Sequence, residues 1–135
     1  IILFGYRDRE QAASFGSQDV LNTDINSFDV TYVKELGITN AASEAVEKLL
    51  QQNELLGFWI HIDADVLDDS IMPAVDYRLN GGLSFCELSE LLKSIVASGR
   101  TVGMDITIFN PNFDSDGSIA HRFVSSLLEG IAFIK

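Results

Sequence analysis

The sequence predicts an α/β fold, in which helices cover both faces of a mainly parallel sheet in three layers. Short apolar runs typical of strands alternate along the chain with segments whose apolar residues recur at helical spacing. Strands that are separated by helices are joined by right-handed crossovers, which place consecutive strands parallel. The 135 residues suffice for one sizeable core, so we expect a single domain over residues 1–135.

The first half of the chain contains two apolar runs that predict buried strands. Asn40 or Ser43 is expected to cap a helix between them, because both side chains can accept hydrogen bonds from free amide groups of a first helical turn. The predicted elements are a buried strand over residues 1–6, a polar loop over 17–29, a segment 28–34 that fits either a strand or a helix, a helix that ends near Asn53, and a buried strand over 57–63.

The second half has the clearest local signals. Ser84 is predicted to open a helix, and Glu87, three residues later, completes a capping box. Gly99 is expected to end that helix, a strand covers residues 101–109, and a last helix begins near Gly117. The inward positions are predicted to be Leu88, Leu91, Leu92, Ile95 and Val96 in the first helix, and Phe123, Leu127, Leu128 and Ile131 in the second.

Composition excludes several classes of function. Twenty Asp and Glu against nine Lys and Arg give a net charge of −11, which argues against nucleic acid and anionic membrane surfaces as partners. The sequence shows no apolar stretch of the ~20 residues that a membrane span needs, and no basic segment followed by an apolar one as in a secretory leader. Cys86 is the only cysteine, expected as an inert buried thiol, so a reducing, cytoplasmic location is predicted. Because the chain starts at Ile1 within a predicted strand, we expect it to be part of something longer.

The polar residues that follow the strand over 57–63 suggest a metal site. His61, Asp63 and Asp65 are spaced by two, so on a continuing strand they would share one face. Carboxylates that converge at the end of a buried strand are costly unless a cation neutralises them, and oxygen ligands favour Mn, Mg or Ca over structural zinc. The alternatives are that the aspartates only form a turn, that His61 is a neutral, hydrogen-bonded core group, and that Trp59 belongs to the core.

A set of motifs in a fixed order then resembles a known family. The motifs are Phe4-Gly5-Tyr6-Arg7-Asp8, Asp63-Ala64-Asp65-Val66-Leu67-Asp68, Met72-Pro73-Ala74, Gly81-Gly82-Leu83-Ser84 with Glu87, and Asp105-Ile106-Thr107-Ile108-Phe109-Asn110-Pro111. Their order and spacing are similar to those of the arginase, agmatinase and formimidoylglutamase family of ureohydrolases over nearly the whole chain.

The resemblance implies the C-terminal portion of an arginase-like α/β/α domain. In that family a binuclear manganese centre activates a bridging hydroxide, which attacks the guanidinium or related carbon of a small-molecule substrate. By position, Asp63 would bridge both Mn²⁺ ions and Asp65 would bind the second. Family members often form trimers or hexamers, so a homo-oligomer is expected, although an unpaired sheet edge could equally cause self-association.

Several departures from the family pattern limit these expectations. The family's other metal ligands lie in upstream segments that this chain does not contain, and His61 and His121 stand in other contexts. We therefore expect an incomplete manganese site, with His61 as a neighbour of the ligands, and little or no activity in the isolated chain. Ile108 stands where the family has a Glu that orients the guanidinium, and Asp69 replaces a proline. These changes favour a divergent branch acting on a less basic amide or formimino-type substrate.

Two functional hypotheses follow. The first is that the chain is part of a divergent metal-dependent hydrolase of non-peptide C–N bonds. The second is that it is a non-catalytic α/β binding or assembly module derived from that family, which the loss of the Glu at Ile108 favours.

Overall fold

A computed structural model describes residues 1–52 and 54–132 of the chain. Strands and helices alternate along it as predicted. In chain order the elements are β1 (Ile2–Tyr6), α1 (Arg9–Ser14), β2 (Asn26–Asp29), α2 (Val30–Leu36), α3 (Ile38–Leu50), β3 (Phe58–Asp63), α4 (Phe85–Val96), β4 (Thr101–Thr107) and α5 (Ser118–Ile131), with short 3₁₀ turns at Val20–Asn22, Ala64–Val66 and Pro111–Phe113.

The strands pair in parallel, which confirms the predicted α/β class. Among the described residues β1 pairs with β2, and β3 pairs with β4, so that the chain forms two parallel pairs. In the second pair His61 lies opposite Asp105, and Asp63 lies opposite Thr107. The carboxyl ends of β3 and β4 therefore meet at one edge, where ligands of parallel α/β proteins bind.

The core lies between the helices and one face of β3. Ile60 and Ile62 of β3 are buried on that face, together with the inward residues of α4. At the contact of α4 with α5, the Ser89 hydroxyl donates to the backbone carbonyl of Ser126 at 2.9 Å. The predicted capping box is present, since the Ser84 hydroxyl accepts from the Glu87 amide and the Glu87 carboxylate accepts from the Ser84 amide. None of the described helices has the length and apolar character that would let it cross a membrane.

Two element boundaries differ from the prediction. The α3 helix begins at Ile38 after Gly37, so the expected caps Asn40 and Ser43 lie inside it. Both side chains donate to backbone carbonyls four residues earlier, a bond that competes with capping for such residues. The helix ends at Leu50, and the predicted end at Asn53 lies outside the described residues.

The ambiguous segment 28–34 contains both elements that it could form. It ends β2 at Asp29 and begins α2 at Val30, and the Asp29 carboxylate caps α2 by accepting from the Tyr32 amide at 2.9 Å. Both alternatives are therefore correct in part, because a strand ends and a helix begins within this segment.

Burial is less complete than predicted at several positions. The first strand is not buried throughout, since Leu3 is 38% exposed, and on α5 the Leu128 side chain is 58% exposed. Only one face of each of these elements packs on the core, so every second strand residue and the outer helix positions remain accessible. The Cys86 thiol is also exposed, because it lies on the outer side of the first turn of α4.

Candidate metal centre

The two predicted metal ligands lie at the carboxyl end of β3. Asp63 is the last residue of the strand, and Asp65 lies in the 3₁₀ turn Ala64–Val66 that follows. The expectation that His61, Asp63 and Asp65 continue along one strand face is wrong for Asp65, because β3 ends at Asp63 and the chain enters a 3₁₀ turn at Ala64. Asp63 and Asp65 are nevertheless close enough for their carboxyl groups to interact.

The electrostatics of this pair favour a cation. Burial raises the pKa of Asp65 above its ordinary value, and the negative charge of Asp63 raises that pKa further. One carboxyl oxygen of Asp63, Oδ1, is buried and has no hydrogen-bond partner in the described part of the chain. A buried carboxylate oxygen without a donor is costly, and a hard divalent cation such as Mn²⁺ or Mg²⁺ would satisfy it. The oxygen donors present therefore fit such an ion.

The described residues do not form a complete set of metal ligands. Within residues 1–52 and 54–132, no group of three His, Cys, Asp or Glu side chains is arranged to hold a metal. Two carboxylates alone provide too few ligands for a tight Mn²⁺ or Mg²⁺ site, since those ions take about six. The predicted incomplete manganese site, with Asp63 and Asp65 as ligands, therefore stays a prediction.

The loop after Asp65 is fastened by a carboxylate of its own. Asp68 accepts from the Ser70 amide at 3.0 Å, the Ser70 hydroxyl at 2.5 Å and the Gly81 amide at 2.6 Å. These donors, Ser70 first, lower the pKa of Asp68. The Asp68 carboxylate therefore joins the two ends of the segment 68–81, and both of its oxygens already accept hydrogen bonds.

His61 lies beside β4 and away from the core. Its Nδ1 is 2.7 Å from Asp105 Oδ2, and its Nε2 is 3.3 Å from Thr107 Oγ1. The indole N–H of Trp59 donates to the other oxygen of Asp105. Trp59 is 60% exposed, so the expectation that it belongs to the core is wrong, and so is the alternative of His61 as a core group. Both side chains lie on the face of β3 opposite the helices.

The network around His61 changes the acidity of Asp105. The Trp59 donor and then His61 lower the pKa of Asp105 below its ordinary value. The role of His61 as a neighbour of a bound metal stays a prediction, and the contacts shown here are with Asp105 and Thr107.

Ile108 occupies a strained backbone conformation next to the predicted end of the last strand. Its φ is 68°, so β4 stops at Thr107 and not at Phe109 as expected. A β-branched residue in the left-handed region is rare, and such strain concentrates at functional sites. The neighbouring backbone imposes it, since Phe109 bridges Val75 and the Asn110 amide donates to the Ala74 carbonyl at 2.8 Å.

The fold and the site together define the chain as part of a parallel α/β protein with carboxylates at the ends of its strands. A solved structure of arginase from Bacillus cereus superimposes on it with a TM-score of 0.80, covering 99% of this chain and 44% of that one at 21% identity. At that identity the likeness shows the fold alone, and it confirms the predicted arginase-like fold.

Sequence comparison identifies the family. The arginase family profile matches residues 1–133. An arginase of Staphylococcus aureus is 30% identical over 125 residues, which span 93% of this chain and 40% of that protein. A formimidoylglutamase of Salmonella arizonae is 29% identical over 113 residues, spanning 80% of this chain and 35% of that protein. The chain belongs to the arginase family, as the motifs predicted, and spans about 40% of the length of the first of these relatives.

One important residue near the site was not singled out by sequence reasoning. Arg7 belongs to the first of the family motifs, and its guanidinium reaches the turn that carries Asp65. The two residues are 58 positions apart, and no local pattern links them. The only sequence signal is that Arg7 directly follows the end of a strand, where functional residues of parallel sheets gather.

Proposed function

We propose that the full-length protein containing this chain is a metal-dependent hydrolase of non-peptide C–N bonds in small molecules. In this proposal Asp63 and Asp65 contribute to a binuclear manganese site, with Asp63 between the two ions and Asp65 on the second. The observation that carries it is the buried, unpartnered Oδ1 of Asp63 beside the partly buried carboxyl of Asp65, at the carboxyl end of β3. Membership of the arginase family supports the same assignment.

The local fold positions the carboxylates of Asp63 and Asp65 and leaves them available to a metal ion. β3 sets Asp63 at the strand end, and the following turn brings Asp65 next to it. When bound, manganese would supply an activated water at neutral pH as the nucleophile. The histidine ligands would come from the part of the protein outside this chain, so we expect the isolated chain to be inactive and its manganese site incomplete.

The substrate class that we propose is an amide or formimino compound in preference to a guanidinium. Ile108 is 42% exposed beside the strand ends, at the position where the family resemblance places a Glu. A guanidinium there would lose a charge-assisted hydrogen bond worth about 1.5–3 kcal/mol. A neutral amide would not require that partner.

Calorimetric titration of the full-length protein with Mn²⁺ tests the metal site. We expect Asp63→Ala/Asp65→Ala to abolish measurable binding, because both of this chain's contributed ligands are lost. Asp24→Ala, at an exposed loop position, is the control and should bind as the wild type does. Equal affinity in the double variant and the wild type would sink the assignment.

A non-catalytic binding or assembly module is the second candidate. The exposed Ile108 in place of an acidic group favours it, as would self-association through the edges of the two strand pairs. Turnover separates the two: hydrolysis of a formimino compound to its amine and formamide, or of an amide to its amine and carboxylic acid, by the Mn²⁺-loaded full-length protein supports the enzyme. Metal binding without turnover of guanidino, formimino or amide substrates supports the module.

A further inference from the structure

One guanidinium ties the start of the chain to the turn that carries Asp65. From Nη2, Arg7 donates to the backbone carbonyls of Asp65 at 2.7 Å, Leu79 at 2.8 Å and Leu67 at 3.2 Å. From Nε it donates to the carbonyl of Asn80 at 3.2 Å. Four carbonyls from two separate stretches of the loop thus converge on one partly buried side chain.

Apart from the bonds that Arg7 donates, the turn is held by the burial of Ala64 and Leu67 in the core and by few hydrogen bonds. Its internal hydrogen bond, from the Leu67 amide to the Ala64 carbonyl, is long at 3.3 Å, and its first residue has no side-chain cap. The Leu83 amide adds one external bond to the Val66 carbonyl at 2.9 Å. Among the side chains that the structure describes, Arg7 alone donates a hydrogen bond to residues 64–67.

The end of β1 also sets the distance between Arg7 and the turn. Gly5 has a φ of 78°, and a Cβ at this position would lie 2.9 Å from a methyl group of Val66. Glycine therefore permits the close approach of β1 to the turn and places Arg7 within reach of the Asp65 carbonyl.

The geometry points to Arg7 as a positioning residue that holds the Asp65 backbone, and through it the direction of the Asp65 carboxylate, for a cation shared with Asp63. This inference rests on the proposed metal site. Within the described part of the chain Arg7 bonds only to backbone carbonyls, so it fixes the turn without occupying the carboxylate oxygens. A lysine could keep the charge but not the planar fork of donors that reaches both stretches of the loop.

The test compares neighbouring arginines in the full-length protein. Arg7→Lys is expected to weaken Mn²⁺ binding at least about tenfold by calorimetry, as loss of an outer contact to a metal ligand does. Arg9→Lys is the matched control, because Arg9 is exposed and pairs with the Asp19 carboxylate, and its Mn²⁺ affinity should stay within about twofold of the wild type. Affinity within twofold of the wild type in folded Arg7→Lys would overturn the inference.

A second readout works without metal. Amide hydrogen exchange of the metal-free protein should be about tenfold faster over residues 64–68 in Arg7→Lys and unchanged in Arg9→Lys, because local opening of the turn becomes easier. Unchanged exchange would overturn the positioning role. So would failure of both Arg7→Lys and Arg7→Gln to fold, since Arg7 would then serve the whole fold. If the wild type binds no Mn²⁺, the proposed function fails, while exchange still decides whether Arg7 holds the turn.

Discussion

The pair Asp63 and Asp65 at the end of β3 and the single carboxylate Asp105 on β4 have surroundings that shift carboxyl pKa values in opposite directions. At the end of β3, burial and the charge of Asp63 raise the pKa of Asp65, and one oxygen of Asp63 has no partner in the described part of the chain. On the open face of the same strands, Asp105 accepts from Trp59 and contacts His61, and its pKa is lowered.

The difference shows how a carboxylate available for a cation can be recognised. Asp105 is the more exposed and has a histidine beside it, yet its oxygens are already engaged by protein groups. Asp63 and Asp65 have a worse electrostatic environment because no protein cation or donor compensates them fully. Missing partners, and not exposure or a nearby histidine, mark the pair as the metal candidates.

The largest effect should appear in metal binding. In the full-length protein, Asp65→Asn should weaken Mn²⁺ binding at least about 100-fold, because a ligand is lost and not only an outer contact. Asp105→Asn removes the same charge from the engaged carboxylate and should change the affinity less than about threefold. Calorimetry measures the Mn²⁺ affinity of both variants. Comparable losses of affinity would contradict the distinction between the Asp63 and Asp65 pair and Asp105.

Substitution of one glycine in each region should give the next largest effect, on the free energy of unfolding. A Cβ at Gly82 would collide with backbone atoms of Leu67 and Asp68, whereas at Gly103 it would meet the exposed ring of Trp59. Because a backbone cannot move aside as a side chain can, Gly82→Ala should lower the free energy of unfolding by about 2–4 kcal/mol and Gly103→Ala by about 1 kcal/mol. Urea unfolding of the metal-free protein measures both, and a larger loss at Gly103 would contradict the prediction.

The pH dependence of stability should have opposite signs in the two regions. The raised pKa of Asp65 means that the folded state holds its proton longer, so its contribution to stability falls as pH rises from the ordinary Asp value to the raised one. The lowered pKa of Asp105 contributes stability that is present above the ordinary value and lost as pH falls through the lowered one.

Asp65→Asn and Asp105→Asn isolate these contributions. Urea unfolding of the metal-free protein between about pH 3 and 6 should show Asp65→Asn gaining on the wild type as pH rises and Asp105→Asn falling behind it. Curves that change in the same direction would contradict the assigned surroundings.

The smallest effect concerns the indole donor. Trp59→Phe removes the N–H from which Asp105 accepts a hydrogen bond, so the pKa of Asp105 should rise toward its ordinary value, and stability above that pKa should fall slightly. Carboxyl NMR during an acid titration checks the pKa. Tyr77→Phe, a change at an exposed residue of the neighbouring loop, is the control and should leave the Asp105 titration unaltered.

Local features of this protein were predictable from its sequence. Residues only a few positions apart determine the capping box of Ser84 and Glu87, the apolar face of α4 and the strand that ends at Asp63. The ordered motifs also identified the family, because their spacing extends over nearly the whole chain. The first signals depend on neighbouring residues and the last on the order of the motifs, so both can be recognised from the sequence alone.

Tertiary structure decided how these elements meet. Whether Asn40 caps a helix depended on where α2 ended, and whether Trp59 is buried depended on which face of β3 the helices cover. The convergence of Arg7 on the Asp65 turn required β1 to approach a loop 58 residues away. The sequence by itself determined the α/β class, the family and the residues at the strand ends, because periodicity and motif order need no partner. Which carboxylates are satisfied was decided only by packing, because hydrogen-bond partners come from segments far apart in the chain.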